Sequence, residues 1–315
     1  MSWLEPASAA VLAIVSLPLA DQSSSNNSPQ PVDILKIENE RYNRMTVPVR
    51  IDNHGPYDFM IDTGAEATVV SRDLADRLGL FDRNSARLIA MASTREVETA
   101  YIPDLALGSR SFNIATAPLV ERENIGGSAD GVLGLDSLQN QRVLLDFDKQ
   151  QIAVADAEEL GGNKGYEIVV KARRKLGQLI ITEATFDGNR VAVVIDTGAE
   201  SSIGNEKLMH KLRGRQTFPT QMIDMNGVEV DGHVRLARDV QIGRVKLTNI
   251  AVSFFESPVF KQLGLDNQPA MVLGMNELRL FRRVAIDFKE RKVLFDLPRA
   301  RGKSDEISQK INIQL

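Results

Sequence analysis

The sequence predicts an all-β protein of two closed β-barrel lobes related by pseudo-two-fold symmetry, with few and short helices. Three observations predict it. Short apolar-alternating runs recur along the chain between clusters of Gly, Pro, Asn and Asp, the pattern of half-buried strands and turns. One stretch occurs twice, as Phe59-Met60-Ile61-Asp62-Thr63-Gly64-Ala65-Glu66-Ala67-Thr68-Val69-Val70 and as Ala192-Val193-Val194-Ile195-Asp196-Thr197-Gly198-Ala199-Glu200-Ser201-Ser202-Ile203. Other landmarks keep step with it. Asp62 recurs as Asp196 and Gly108 as Gly243 at nearly the same offset, and Gly134 recurs as Gly274 and Asp146 as Asp287 at a slightly longer one. Such register marks a tandem duplication, with an insertion in the second copy near Pro258 to Pro269.

The elements follow in order. Residues 1–20 read as a signal peptide: Ala9 to Ala20 is uncharged, mostly apolar and too short for a comfortable membrane span. This predicts an exported protein, periplasmic or secreted. The preceding residues hold Glu5 and no Lys or Arg, so a membrane-anchored N-terminus is the alternative. Residues 21–35, rich in Ser and Asn and carrying Pro29 and Pro31, read as a linker.

The N-terminal lobe is expected over 36–160. Thr46 to Ile51 is a strand that Pro48 pushes towards an edge or a bulge. Asp52 to Pro56 is a turn, and Tyr57 to Ile61 returns to deliver Asp62. Ser71 can cap a short helix from Arg72 to Leu78 that Gly79 ends. Leu88 to Met91 and Val97 to Ile102 form a hairpin with its tip near Ala92 to Glu96. Further strands run to Gly131-Val132-Leu133-Gly134-Leu135-Asp136, and Val143 to Asp148 is the last. Glycines in Glu159 to Gly165 mark the boundary. The C-terminal lobe, 166–300, repeats the order, with Asn226-Gly227 as the tight turn of a second hairpin tip near Asn226 to Val230. Residues 301–315 form a charged tail.

Composition excludes several functions. The 315 residues carry 38 basic and 42 acidic side chains for a net charge of −4, and the cluster Lys171 to Lys175 reads as a solvated face, so nucleic acid is not an expected partner. There is no cysteine, hence no disulfide and no thiolate metal site. His54, His210 and His233 lack metal-ligand spacing, and there is no serine nucleophile elbow or phosphate-cradling glycine loop. No metal and no cofactor are expected.

A carboxylate straight after an apolar strand is poorly solvated and is either paired or put to use. Two matched copies suggest two that face each other. Asp-Thr-Gly-Ala behind such a strand, with Val132-Leu133-Gly134 downstream of the first copy and Val272-Leu273-Gly274 downstream of the second, resembles the aspartic protease family. The short halves, set by the spacing from Asp62 to Asp196, and Ala after the Gly, resemble retroviral-type, retropepsin-like lobes, here fused in one chain over residues 36 to 298.

The resemblance implies a role for each motif residue. Asp62 and Asp196 are the catalytic pair. Thr63 and Thr197 hydrogen-bond across the lobe interface. Gly64 and Gly198 let backbone N–H groups reach the carboxylates, and Gly134 and Gly274 let a second segment pass under each motif loop. Ala65 and Ala199 stand where pepsin-like enzymes carry a hydroxyl, which implies a pH optimum above the strongly acidic range. Leu135 and Met275 replace the Arg that retroviral enzymes place after the glycine, so Glu66 and Glu200 either bind substrate backbone or cap the following turn. Tyr101 is a candidate flap residue.

The expected function is an aspartic endopeptidase that hydrolyses extended polypeptides through a water activated between Asp62 and Asp196. The expected assembly is a monomer with an intrachain pseudo-dimer, although a dimer in which each motif meets its own copy is a variant. The rival is a catalytically silent peptide-binding or regulatory module of the same fold.

Overall fold

The computed structural model describes residues 14–16, 33–36, 38–39, 45–126, 129–212, 216–298 and 313–314. The expected signal peptide, linker and charged tail therefore lie outside the described residues, apart from the short strands Ile14–Ser16, Asp33–Lys36 and Ile313–Gln314. Strands dominate the described residues, and no helix among them is longer than six residues. The all-β expectation holds.

The first lobe is a closed six-stranded barrel. Its circuit runs Thr94–Leu107, Arg110–Val120, Val69–Ser71, Gly131–Leu133, His54–Ile61 and Met45–Ile51, and closes where Arg50 and Ile51 pair with Ala106 and Leu105. Pro48 is exposed opposite Asp58, and a bulge between Val49 and Ile51 bends the strand across the barrel. The second lobe repeats the circuit with Gln178–Phe186, Asn189–Ile195, Ala270–Leu273, Ser202–Gly204, Val245–Phe254 and Glu229–Ile242, and pairs Ala184 with Ile242 to close it. Ser71 caps the helix Arg72–Arg77 by accepting from Leu74 N–H, and Asn205 does the same for Glu206–Lys211 through Leu208 N–H. The last barrel strand reaches the Val-Leu-Gly strand through residues 121–130 in the first lobe and 255–269 in the second. The extra length holds the helix Pro258–Gln262, where the change of offset places the insertion.

Between the lobes lies a sheet that local patterning does not reveal. Six antiparallel strands run in the order Ile168–Lys171, Lys292–Asp296, Arg283–Asp287, Arg142–Asp146, Gln151–Ala155 and Asp33–Lys36. Each half of the chain supplies three of them. The central pair aligns Leu144 with Ala285, with Arg142 opposite Asp287 and Asp146 opposite Arg283, so the pseudo-two-fold axis passes through its middle. Arg142, 1% exposed, gives Nε and Nη2 to Asp287 Oδ2 at 3.0 and 2.6 Å. One continuous apolar cluster joins this sheet to both barrels, from Ile61 and Leu133 through Leu145 and Ile286 to Ile195 and Leu273.

Candidate active site

Each motif loop is built by the strand before it and the strand threaded beneath it. Ile61 pairs in parallel with Leu133, and Asp62 N–H donates to Leu133 O at 3.1 Å. Beyond the loop, Leu135 N–H donates to Ala65 O at 2.9 Å and Asp136 N–H to Glu66 O at 3.2 Å. The second lobe repeats this. Asp196 N–H donates to Leu273 O at 3.1 Å, Met275 N–H to Ala199 O at 2.8 Å and Asn276 N–H to Glu200 O at 2.9 Å. The threading strand has no room for a side chain at its glycine. A Cβ on Gly134 would lie 2.4 Å from the Ala67 carbonyl carbon, and one on Gly274 would lie 2.7 Å from that of Ser201.

The two loops meet at the lobe interface. Thr63 N–H donates to Thr197 Oγ1 at 3.1 Å, and Thr197 N–H to Thr63 Oγ1 at 3.2 Å. The hydroxyls then donate onward, Thr63 to Ile195 O at 3.1 Å and Thr197 to Ile61 O at 2.7 Å. Four bonds thus lock the loops in a reciprocal grip.

The carboxyls inside it are fully buried. Asp62 Oδ1 accepts from Gly64 and Ala65 N–H at 2.7 and 2.9 Å, and Asp196 Oδ1 from Gly198 and Ala199 N–H at 2.8 and 3.1 Å. Burial pushes the Asp62 carboxyl well above the ordinary Asp range. The Asp196 charge and a hydrogen bond between the two carboxyls push it the same way, against the pull of the Gly64 and Ala65 N–H groups. Gly198 is pressed against this carboxyl: a Cβ there would stand 2.2 Å from Asp62 Oδ2. Ala65 and Ala199, both fully buried, turn into apolar clusters on either side.

The remaining predicted residues are placed as follows. Glu66 is half-buried, and burial first, then repulsion from Asp136, raises its pKa to about 7. Glu200 is half-buried in the matching loop. Tyr101 lies at the base of its hairpin rather than the tip, with its ring 5.5 Å from that of Phe81 and its N–H on Phe81 O. The tips themselves come earlier than predicted. Thr94, Arg95 and Glu96, expected within the tip, already pair with Ile89, Leu88 and Arg87, which leaves Ala90 to Ser93 as the first tip. In the second hairpin Glu229 and Val230 pair with Ile223 and Met222, and the tip is Asp224 to Val228. Polar side chains on the solvent face of a hairpin do not end it.

Three contributions escape sequence reasoning. Gln178, fully buried at the start of the second barrel, donates Nε2 to Gly64 O at 2.6 Å and so ties one lobe to the motif loop of the other. Under the first loop, Thr68 Oγ1 donates to Asp136 Oδ1 and accepts from Gly134 N–H at 3.2 Å. Under the second, Ser202 Oγ donates to Glu277 Oε2 and accepts from Gly274 N–H at 3.1 Å. The repeat does carry the hydroxyls, at the same place behind each Asp. It does not carry the acids, which sit two positions after one glycine and three after the other.

Residues 47–140 match the family model of gag-polyprotein aspartyl proteases, and residues 182–276 match a second model described as aspartyl protease. Each match spans one motif, its hairpin and its Val-Leu-Gly strand. No curated protein matches the chain.

Proposed function

We propose that this chain, which belongs to the aspartyl proteases through two such domains in tandem, is an aspartic endopeptidase that cuts extended polypeptides at the lobe interface. One observation carries the proposal. Two fully buried carboxyls meet there, each with its inner oxygen held by two N–H groups, and Asp62 is driven towards its protonated form by burial and by Asp196. Such a pair shares one proton over a broad pH range.

In this mechanism the ionised carboxyl takes a proton from a water held between the two, and the water oxygen adds to the peptide carbonyl carbon. The protonated carboxyl donates to the carbonyl oxygen as negative charge develops on it. Collapse of the tetrahedral adduct breaks the C–N bond, and a carboxyl proton goes to the leaving amine. The chain's own residues supply the positioning: the threonine grip holds the two carboxyls in register, and the N–H groups of Gly64 and Gly198 orient them. The substrate lies across the cleft in extended form, bonded by its backbone to the hairpins.

The test is peptide-library cleavage by wild type, Asp62→Asn and Asp196→Asn, with sedimentation to establish the oligomeric state and binding of a statine-type transition-state mimic. A monomer whose activity is lost in both variants is the expected result. A wild type that neither cleaves nor binds the mimic supports the silent peptide-binding module instead, and one variant that keeps most of its activity removes the shared-proton mechanism. The proposal includes export, checked by fractionation and N-terminal sequencing of the native protein. An intact Met1 in the cytoplasmic fraction would remove that part.

A further inference from the structure

Asp224 sits on a hairpin tip and yet is fully buried. Its Oδ1 shapes its own turn by accepting from Asn226 and Val228 N–H, both at 3.0 Å. Its Oδ2 crosses to the other lobe, where it accepts from Ala92 N–H at 3.2 Å and from the Ser93 hydroxyl at 2.6 Å. Asn226 Nδ2 adds a bond to Ser93 Oγ at 2.9 Å, and Arg95 Nη1 donates to Asn226 O at 3.0 Å. One carboxylate thus joins the two tips. The duplication supplies no second one: at the offset that separates Asp62 from Asp196, the counterpart of Asp224 is Ala90.

Beside this junction each tip sends a methionine into the opposite lobe. Met91, of the first hairpin, is fully buried with Ile180, Ala199, Ile203 and Val259, and the Ser257 hydroxyl donates to its sulfur at 3.2 Å. Met225, of the second, is fully buried with Met60, Ala65, Ala67 and Val132. The second tip also rests on the loop that mirrors Ser257: a Cβ on Gly227 would lie 2.9 Å from the Asn124 side chain. Ala65 and Ala199 each directly follow the glycine of a motif, so each of these clusters begins within three residues of one of the paired carboxyls.

We propose that this arrangement is a self-occluded resting state, in which Met91 and Met225 fill the two side-chain pockets flanking the carboxyl pair and the bond from Asp224 to Ser93 latches the hairpins over them. A peptide enters only after the latch parts and both methionines withdraw. It refills the pockets best with long, unbranched or γ-branched apolar side chains, such as Met or Leu, on either side of the cut. Volume-matched replacement costs little in a packed pocket, whereas a shorter β-branched side chain leaves a void. The latch stands on the geometry alone; the substrate class rests on the endopeptidase reading.

The test uses the full chain in an Asp62→Asn background, so that self-cleavage cannot intrude. Ser93→Ala removes the two bonds that its hydroxyl makes across the tips, to Asp224 and Asn226, and leaves both turns and the bonds from Ala92 and Arg95 intact. Asp224→Asn keeps an acceptor for Asn226 and Val228 but turns an amide towards two donors. Backbone hydrogen exchange at 90–93 and 224–228 is expected to quicken about tenfold in each variant, the effect of losing one charge-assisted hydrogen bond. Unchanged exchange in both overturns the latch. Association of a statine-type mimic is expected to speed up by a similar factor, and a wild-type rate equal to that of the variants also overturns it. A mimic with Leu at both flanking positions should bind about tenfold more tightly than one with Val, and equal affinity overturns the pocket assignment. If the chain with Asp62 intact binds no mimic while exchange still quickens in the variants, the latch stands and the endopeptidase reading falls.

Discussion

Gly198 is the residue at which backbone and chemistry have least room between them. A methyl group there would lie 2.2 Å from Asp62 Oδ2, so Gly198→Ala must displace the carboxyl or the loop. A misplacement of about 1 Å in a reacting group costs on the order of 100-fold in rate. Gly198→Ala is therefore expected to lower kcat by about that factor with a much smaller change in KM, measured by steady-state cleavage. An undiminished kcat would show that the carboxyl has freedom the packing denies it. Thr197 is the complementary case. Its buried hydroxyl accepts from Thr63 N–H and donates to Ile61 O. Thr197→Val strands both partners, at about 1–3 kcal/mol each, whereas Thr197→Ser keeps them. Thermal denaturation should separate the two, with the Ser variant close to wild type.

At the scale of the element, the threaded loop depends on a buried hydroxyl and a buried acid. The Glu277 carboxyl, 3% exposed, is raised by burial to about 7, against the pull of its Ser202 hydrogen bond. Its ordinary value is 4.5, so the folded state holds a proton that the unfolded state has already lost between those limits. Stability from this group is thus complete below pH 4.5 and declines as pH rises through about 7, by about 3 kcal/mol in all. Glu277→Gln cannot ionise, so its melting temperature should fall less than that of wild type between about pH 5 and pH 8. Parallel slopes would place the carboxyl in contact with water after all. The loop was legible in part. The strand, the Asp, the glycine below it and the cap at Ser71 each have a local signature, and all can be read from spacing. Asp136 and Glu277 cannot, because the same hydroxyl is reached from two offsets by acids of different length. Nor could the hairpin tips be placed to the residue, since Thr94 to Glu96 look like a turn until their partners across the strand are known.

At the scale of the whole molecule, the duplication was legible because identical landmarks recur. The shared sheet was not, because its central partners, Leu144 and Ala285, come from opposite halves of the chain and nothing local announces their pairing. That sheet makes the carboxyl pair a property of the intact chain. It also sets the frame for the pH–rate profile. A pair in which burial and a neighbouring carboxyl both keep a proton on Asp62 should remain singly protonated to higher pH, with an optimum from mildly acidic to neutral. A peak near about pH 2 would contradict this.

The sheet makes a sharper demand on how the halves hold together. A full-length chain nicked between Leu160 and Gly161, within the run of turns that joins the lobes, keeps the six-stranded sheet, the threonine grip and the Arg142–Asp287 pair. It should sediment as one particle and still cleave. In the nicked chain, Asp287→Ala leaves Arg142 buried without its carboxylate, a loss of about 3–5 kcal/mol. That corresponds to about two to four orders of magnitude in the dissociation constant, enough to part the halves on dilution. The same substitution in the unnicked chain should lower the melting temperature yet leave cleavage measurable, because the covalent join keeps the two carboxyls at high effective concentration. If the nicked Asp287→Ala chain stays whole at every dilution, the central strand pairing, the threonine grip, the hairpin junction and the shared apolar cluster hold the lobes together without the buried ion pair, which then only sets the register of the central strands.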